Sequence, residues 1–374
     1  MKKILFVHPD LRGGGAEKVL VNMLNSLDKS KYEITLITIF EEGINKKLLL
    51  NHITHTYLLK KVFSGWSILQ KIFSPEFLFK HLVKNDNDYD LIVAYLEGVP
   101  TRVVGGCKNN KTKLISWVHV DLDGFKIEKV FKSKKEMKNI YLKYDAIVGV
   151  SKIALNSLRK KVPEIPSNKL HVIHNILDIS LILSMGNEDI KDICFLKDTV
   201  NLCTVGRLAN QKGYIRLLYA ISKLANDNIN FHLYIIGQGE QEHTLAKIII
   251  DEKLEKHVTL LGFRDNPHKY VKNCDLFVCS SYQEGFSTAV TEAVLLGTPI
   301  LTTNCAGMDE ILDNGEYGKI VENSDEALYI GLKELLTNRE SIKKYKILTQ
   351  KRSEMLQKKN NIYEIEKLFD NILN

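Results

Sequence analysis

Short runs of β-branched and apolar residues return along this chain, each followed by a turn or a stretch with helical spacing, and that alternation constrains the fold more than any other feature. Strands separated by helices long enough to cross over build parallel sheets covered on both faces. In the first half the runs are KILFV (3–7), YEITLITIF (32–40), DLIVAYL (90–96), KLISWVHV (113–120), DAIVGVS (145–151) and KLHVIHN (169–175). In the second half they are TVNLCTVG (199–206), FHLYIIG (231–237), HVTLLGF (257–263), DLFVCSS (275–281), PILTT (299–303) and KIV (319–321). Residues 176–198, with Asp178, Glu188, Asp189 and Asp192, show neither a clear strand nor a long helix and read as a linker. The expected architecture is therefore α/β, with two Rossmann-like, doubly wound domains facing each other across a cleft. An N-terminal domain spans 1–180 and a C-terminal domain spans 181–374, the latter including helices from about Asp325 onward, where Glu354 and Lys358 sit one turn apart.

Length supports this division, since 374 residues exceed one ordinary core and suit two domains of roughly 150 residues or more. A content of 44% hydrophobic and 26% charged residues excludes a disordered or collagen-like chain. No apolar run reaches the roughly 18 residues needed to cross a membrane. The opening MKKILFVHPD meets His8, Pro9 and Asp10 too soon for a signal peptide, so the expected location is the cytosol. Six cysteines without a C-x-x-C pair suit reduced, buried thiols rather than a disulfide framework or a zinc site.

Charge is unevenly distributed. Residues 1–175 carry a net +12 and residues 176–374 a net −5, so the first half is the side that meets an anionic partner. Two of its segments suit a lipid interface. Residues 60–84 combine Phe63, Trp66, Phe73, Phe77 and Phe79 with lysines, and residues 124–144 hold seven lysines against two glutamates. A core-facing helix and a solvated face are the plain alternatives. Nucleic acid is the other anionic partner, but no reading motif or stacking platform accompanies the lysines.

The most specific stretch is SSYQEGFSTAVTEAVLLGTPILTT (280–303). A strand ends, a loop carries Glu284 and Gly285, and a helix opens near Ser287. Amides of Phe286, Ser287 and Thr288 at such a helix start can bind phosphate oxygens, assisted by the positive end of the helix dipole. Taken alone, Glu284 is also readable as a helix-start charge and Glu292 as a solvated residue.

The order E-G-F-S-T-A-V-T-E-A followed by G-T-P resembles the signature of the family 4 retaining glycosyltransferases of GT-B fold. Further positions agree: GRLANQKG (206–213) resembles the G-R-x(4)-K-G element, IIGQGE (235–240) the glycine turn, LLGF (260–263) the turn against the base, and HNILD (174–178) the domain junction. With GGGAEKVL (13–20) and SWVHVD (116–121), the resemblance spans nearly the whole chain.

The resemblance implies roles for individual residues. Arg207 and Lys212 would grip the donor diphosphate, a use that fits two cations placed where a leaving group gathers negative charge. Glu284 would hold hydroxyls of the transferred sugar and Glu292 the ribose. Gly206, Gly237, Phe263, Gly285, Phe286, Ser287 and Thr288 would line the donor site, and Gly14 and Gly15 would approach the donor phosphate and the acceptor. His119, at a strand end where parallel sheets bind ligands, would touch the sugar. A structural turn at the glycines and a structural His119 are the alternatives. Asp121 and Asp123 form a D-x-D of the kind that binds metal in another glycosyltransferase fold, but two Rossmann-like halves argue against that fold.

The expected function is retaining, metal-independent transfer of a hexose or N-acetylhexosamine. Its donor is a UDP-linked nucleotide sugar and its acceptor a lipid-linked oligosaccharide of surface-polysaccharide synthesis, such as a polyprenyl-diphosphate glycan. No cofactor beyond the donor is implied, and the enzyme would sit peripherally at the anionic inner face of the cytoplasmic membrane. A GT-B enzyme with a soluble sugar acceptor and a non-catalytic nucleotide-sugar-binding protein are the competing expectations.

Overall fold

A computed structural model describes residues 1–374 except 64, 84–87, 124, 228 and 360. The chain divides into two compact units, Met1–Leu177 with Asn360–Asn374, and Asp178–Lys359.

The first unit is built on a seven-stranded sheet in the order β3-β2-β1-β4-β5-β6-β7. Its strands are β1 (Lys2–His8), β2 (Tyr32–Phe40), β3 (Thr54–Leu59), β4 (Leu91–Ala94), β5 (Lys113–Val118), β6 (Ala146–Gly149) and β7 (Leu170–Val172). Every pairing is parallel. Helices cover both faces of such a sheet, so its central strands read as unbroken apolar runs. Ile4, Leu5, Phe6 and Val7 on β1 and Leu91, Ile92 and Val93 on β4 are all fully buried, each worth about 1.5–3 kcal/mol against exposure. Sequence reading missed β3, an edge strand whose residues are mostly exposed and so lack the apolar run of its neighbours.

The second unit holds a six-stranded sheet in the order β10-β9-β8-β11-β12-β13. Its strands are β8 (Val200–Val205), β9 (Phe231–Ile236), β10 (Val258–Gly262), β11 (Leu276–Cys279), β12 (Ile300–Thr303) and β13 (Lys319–Val321), again all parallel. The helix Tyr214–Asn226 lays Leu217, Leu218, Ile221 and Leu224 on this sheet, and the helix Asp325–Thr337 joins the same core through Leu328, Leu332 and Leu335. Spacings of three and four residues put each set on one helical face.

Two expectations change. The stretch read as a linker contains a helix, Ile179–Gly186, capped by Asp178, whose Oδ1 accepts from the Leu181 amide at 2.9 Å. It packs into the second unit, where the Met185 carbonyl accepts from Asn266 Nδ2 at 2.8 Å. The last helix, Asn361–Leu373, belongs to the first unit rather than the second. Its stripe of Ile365, Leu368 and Phe369 needs cover, and Phe369 finds it against Phe6 and Tyr32 at ring separations of 6.3 and 6.1 Å. Tyr32 Oη also donates to Asp370 at 2.8 Å.

Candidate active site

In an open parallel sheet, ligands gather outside the carboxyl ends of the strands where the strand order reverses. In the second unit that point lies between β8 and β11, and most of the residues singled out in the second half follow these two strands. The loop after β8 carries Gly206, Arg207 and Lys212, and the loop after β11 carries Ser280 to Ser287.

The two loops are knitted together. Gln211 Nε2 donates to the Gln283 carbonyl at 2.8 Å, the Tyr282 amide donates to the Gln211 carbonyl at 2.8 Å, and Ser280 Oγ donates to the Lys212 carbonyl at 3.0 Å. Gly213 makes this approach possible. Its φ is +66°, and a Cβ there would stand 2.0 Å from the Ser280 carbonyl oxygen. The turn after β9 closes on the same spot, since a Cβ on Gly237 would lie 1.9 Å from the Gly206 carbonyl oxygen.

At the centre, Lys212 Nζ donates to Glu284 Oε1 at 2.8 Å, and Ser281 Oγ donates to the same oxygen at 2.6 Å. Glu284 is buried, and its carboxylate takes both of these charge-assisted bonds. Burial alone would lower the Lys212 ammonium, but the adjacent Glu284 carboxylate outweighs it and holds the pKa above the ordinary lysine value. Arg207 is exposed and close enough that its charge opposes that of Lys212. The structure thus brings Arg207, Lys212 and Glu284 together: two cations beside one oriented carboxylate.

Ser287 caps the helix Thr288–Leu295, its Oγ accepting from the Val290 amide at 3.4 Å. The helical ladder begins at the Thr291 amide, which donates to the Ser287 carbonyl at 3.1 Å, so the amides before it sit at the positive end of the dipole. Gly285 and Phe286 are held by Gly307, where φ is +82° and a Cβ would come 3.0 Å from the Gly285 carbonyl oxygen. Glu292 is not a solvated residue. Its side chain is mostly covered and lies 3.8 Å from Nδ1 of the buried His268. Phe263 follows Gly262 at the end of β10 with half its surface exposed, and the Gly262 carbonyl accepts from the Gly237 amide at 2.9 Å.

The remaining expected residues lie on the first unit. Gly14 caps the helix Gly15–Ser26 without a side chain, and both glycines are exposed. His119 follows β5. Its amide donates to Glu97 Oε2 at 2.7 Å, and its ring packs 4.7 Å from Tyr95. Burial pushes the imidazole down to about 3, so it is neutral at physiological pH, and burial pushes the Glu97 carboxyl up to about 7. Asp121 and Asp123 are tied into their own loop, with the Asp123 amide donating to Asp121 Oδ1 at 2.9 Å and Lys160 Nζ donating to Asp123 Oδ2 at 2.5 Å.

Three residues escaped the sequence reading. Arg216 is buried and donates from Nε to the Ser280 carbonyl at 2.7 Å and from Nη2 to the Ser281 carbonyl at 2.5 Å, with its guanidinium 3.9 Å from the Tyr282 ring centre. It sets the backbone on which Glu284 stands. The available signal was a cation inside the apolar stripe of YIRLLYAI. His8 and Glu97 were the others, and the strand-end rule that marked His119 applies equally to His8.

Of the two segments rich in lysine and aromatics, Ser64, Lys84 and Gly124 lie outside the described residues. Phe79 faces the core, whereas Phe63, Ile68, Ile72, Phe77 and Phe125 are exposed. A groove of about 600 Å³ lies between Ile68, Lys71 and Ile72 on one side and Lys129, Val130 and Lys132 on the other.

Known proteins resemble this chain in sequence and in fold. Residues 13–181 match the family described as Glycosyltransferase Family 4, and residues 187–352 match Glycosyl transferases group 1. The chain is 28% identical, over 96% of each sequence, to N-acetylgalactosamine-N,N'-diacetylbacillosaminyl-diphospho-undecaprenol 4-alpha-N-acetylgalactosaminyltransferase of Campylobacter jejuni. It is 30% identical, over 40% of its own length and 39% of the relative's, to the capsular polysaccharide biosynthesis glycosyltransferase CapM of Staphylococcus aureus. Among solved structures, HepE of Anabaena in complex with UDP-glucose superposes with a TM-score of 0.78 at 19% identity, covering 100% of this chain and 99% of that one.

Proposed function

The chain belongs to the family 4 glycosyltransferases of GT-B fold and is a glycosyltransferase of polysaccharide biosynthesis, and from that premise we propose that it transfers a hexose or N-acetylhexosamine with retention from a UDP-sugar to a lipid-linked oligosaccharide. The observation that carries this reading is the Lys212–Glu284 pair beside Arg207 at the switch point of the second sheet.

In the proposed reaction the bond between the anomeric carbon and the diphosphate breaks, leaving negative charge on the distal phosphate. Arg207 and Lys212 neutralise that charge as it develops, which is where electrostatic stabilisation lowers a barrier most. An ammonium has three protons. The bond to Glu284 uses one, so Lys212 can serve both the carboxylate and a phosphate oxygen. With two cations in this place, the proposed chemistry needs no divalent ion. Both bonds to Glu284 fall on Oε1, which orients Oε2 to accept from sugar hydroxyls. The acceptor oxygen attacks the face the diphosphate leaves, and its proton passes to the departing phosphate oxygen. Glu292 takes the ribose, and the Ser287 and Thr288 amides bind phosphate.

Support for a lipid-linked acceptor comes from the undecaprenol-linked substrate in the name of the Campylobacter jejuni relative, and support for UDP from the ligand in the HepE structure. The exposed Phe63, Ile68, Ile72, Phe77 and Phe125, with Lys71, Lys129 and Lys132 around them, suit the anionic membrane surface where such acceptors lie.

Incubating the protein with UDP- and GDP-sugars and polyprenyl-diphosphate glycans, with the product anomer read by NMR, tests the reading. Expected is a UDP-sugar whose α-configuration is kept, with turnover unaffected by chelator. An inverted product, or activity abolished by chelator, refutes the respective part. Sedimentation with phosphatidylglycerol vesicles at low and high salt tests the surface, where binding that fails to appear at low salt refutes it.

A further inference from the structure

His8 ends β1 and His119 follows β5, and the strand between them, β4, runs directly into Tyr95 and Glu97. Register places the two histidines on the same face as Tyr95, because Val7 pairs with Ala94 and Ala94 with Ser116. The Tyr95 ring lies 6.2 Å from His8 and 4.7 Å from His119. Both histidines are more than nine-tenths buried, and in both Nε2 has no hydrogen-bond partner among the described residues.

The other ring nitrogen of each histidine determines what Nε2 is. His8 Nδ1 lies 2.6 Å from the Asp10 carbonyl oxygen. A carbonyl only accepts, so Nδ1 carries the proton and Nε2 is a bare lone pair. His119 bonds the Tyr95 backbone in the same sense. The carboxyl edge of the first sheet therefore presents two buried acceptors beside the Glu97 carboxyl, at the reversal point between β1 and β4 where ligands bind in such sheets.

The chemistry of that face selects its occupant. Phosphate is disfavoured, since it would set its oxygens against lone pairs. A metal ion is also disfavoured, because no three His, Cys, Asp or Glu among the described residues gather closely enough to hold one. A neutral group that donates hydrogen bonds satisfies both nitrogens. We propose that His8, paired with His119, forms a subsite in the first unit that accepts hydrogen bonds from the hydroxyls of a neutral sugar. The subsite rests on the glycosyl-transfer reading and adds to it a recognition residue, His8, and a rule that the group bound there is uncharged. The sugar is either that of the donor or that of the acceptor, and kinetics separate the two.

The experiment uses His8→Phe, which keeps a flat ring and removes the acceptor, and His8→Gln, which keeps an acceptor near the reach of Nε2. In the full chain, inhibition by UDP alone is expected to stay within twofold of the wild type. The KM of one sugar-bearing substrate is expected to rise about tenfold in His8→Phe and to recover in His8→Gln. A rise for the donor assigns the subsite to the transferred sugar, and a rise for the acceptor assigns it to the glycan. A deoxy analogue lacking the recognised hydroxyl should cost the wild type about tenfold and His8→Phe nothing. Wild-type transfer with unchanged KM for both substrates in His8→Phe, or a His8→Gln variant as impaired as His8→Phe, overturns the subsite alone. Absence of transfer by the wild type from any UDP- or GDP-sugar overturns the glycosyl-transfer reading and the subsite with it.

Discussion

Replacing Lys212 with Met removes the ammonium from a carboxylate that has little else to rely on. Among the described residues Glu284 would keep only the Ser281 hydroxyl as a side-chain donor, while its own side chain stays 9% exposed. Breaking a fully buried pair costs about 3–5 kcal/mol and breaking an exposed one about 0–1 kcal/mol. With the carboxylate covered and the Lys212 side chain 27% exposed, solvent screens part of the loss, and a cost of about 2 kcal/mol is expected. For a unit of this size that lowers Tm by roughly 6 °C. Adding Glu284→Gln removes the stranded charge and keeps an acceptor for Ser281, so the double variant should recover most of the lost stability. Activity should behave differently: kcat/KM is expected to fall about 10²- to 10³-fold in Lys212→Met and to stay low in the double variant. Calorimetry is the suitable assay, because both tryptophans, Trp66 and Trp117, lie in the first unit and would not report on the second. A double variant no more stable than Lys212→Met refutes the energetic pairing. A Lys212→Met enzyme with near-normal kcat/KM refutes the role in leaving-group departure.

Glu97→Gln should change how stability depends on pH. Its folded pKa of about 7 lies above the ordinary carboxyl value, so the contribution of Glu97 is complete below about pH 4.5 and declines as pH rises towards 7, by about 1.4 kcal/mol per unit. Urea unfolding at pH 5, 6 and 7 should show the variant gaining on the wild type by that slope, and a pH-independent difference would be contrary evidence. Arg216→Met strands the Ser280 and Ser281 carbonyls, and about 3 kcal/mol of stability should be lost; a Tm within 2 °C of the wild type would contradict the buttressing role. Gly213→Ala drives a methyl group against the Ser280 carbonyl, so a loss of about 2 kcal/mol together with reduced kcat/KM is expected; unchanged turnover would show that the two loops need not touch.

Recurring apolar runs were sufficient to specify two parallel sheets, because a strand buried on both faces must be apolar throughout, and that requirement is local. For the same reason β3 went unseen: an edge strand with exposed residues imposes no such demand. Glu284, Arg207 and Lys212 were singled out by the family resemblance that their neighbours in sequence carry, since the loop taken alone reads equally well as an ordinary helix start. Their bonding was not, because Lys212 and Glu284 are 72 positions apart and only the adjacency of β8 and β11 brings them together. The same holds for Arg216, whose carbonyl partners lie in another loop, and for Glu292, which rests near His268. Only tertiary packing decided that the last helix returns to the first unit, because an apolar stripe such as Ile365, Leu368 and Phe369 states that it must be covered and leaves the covering surface to the rest of the chain.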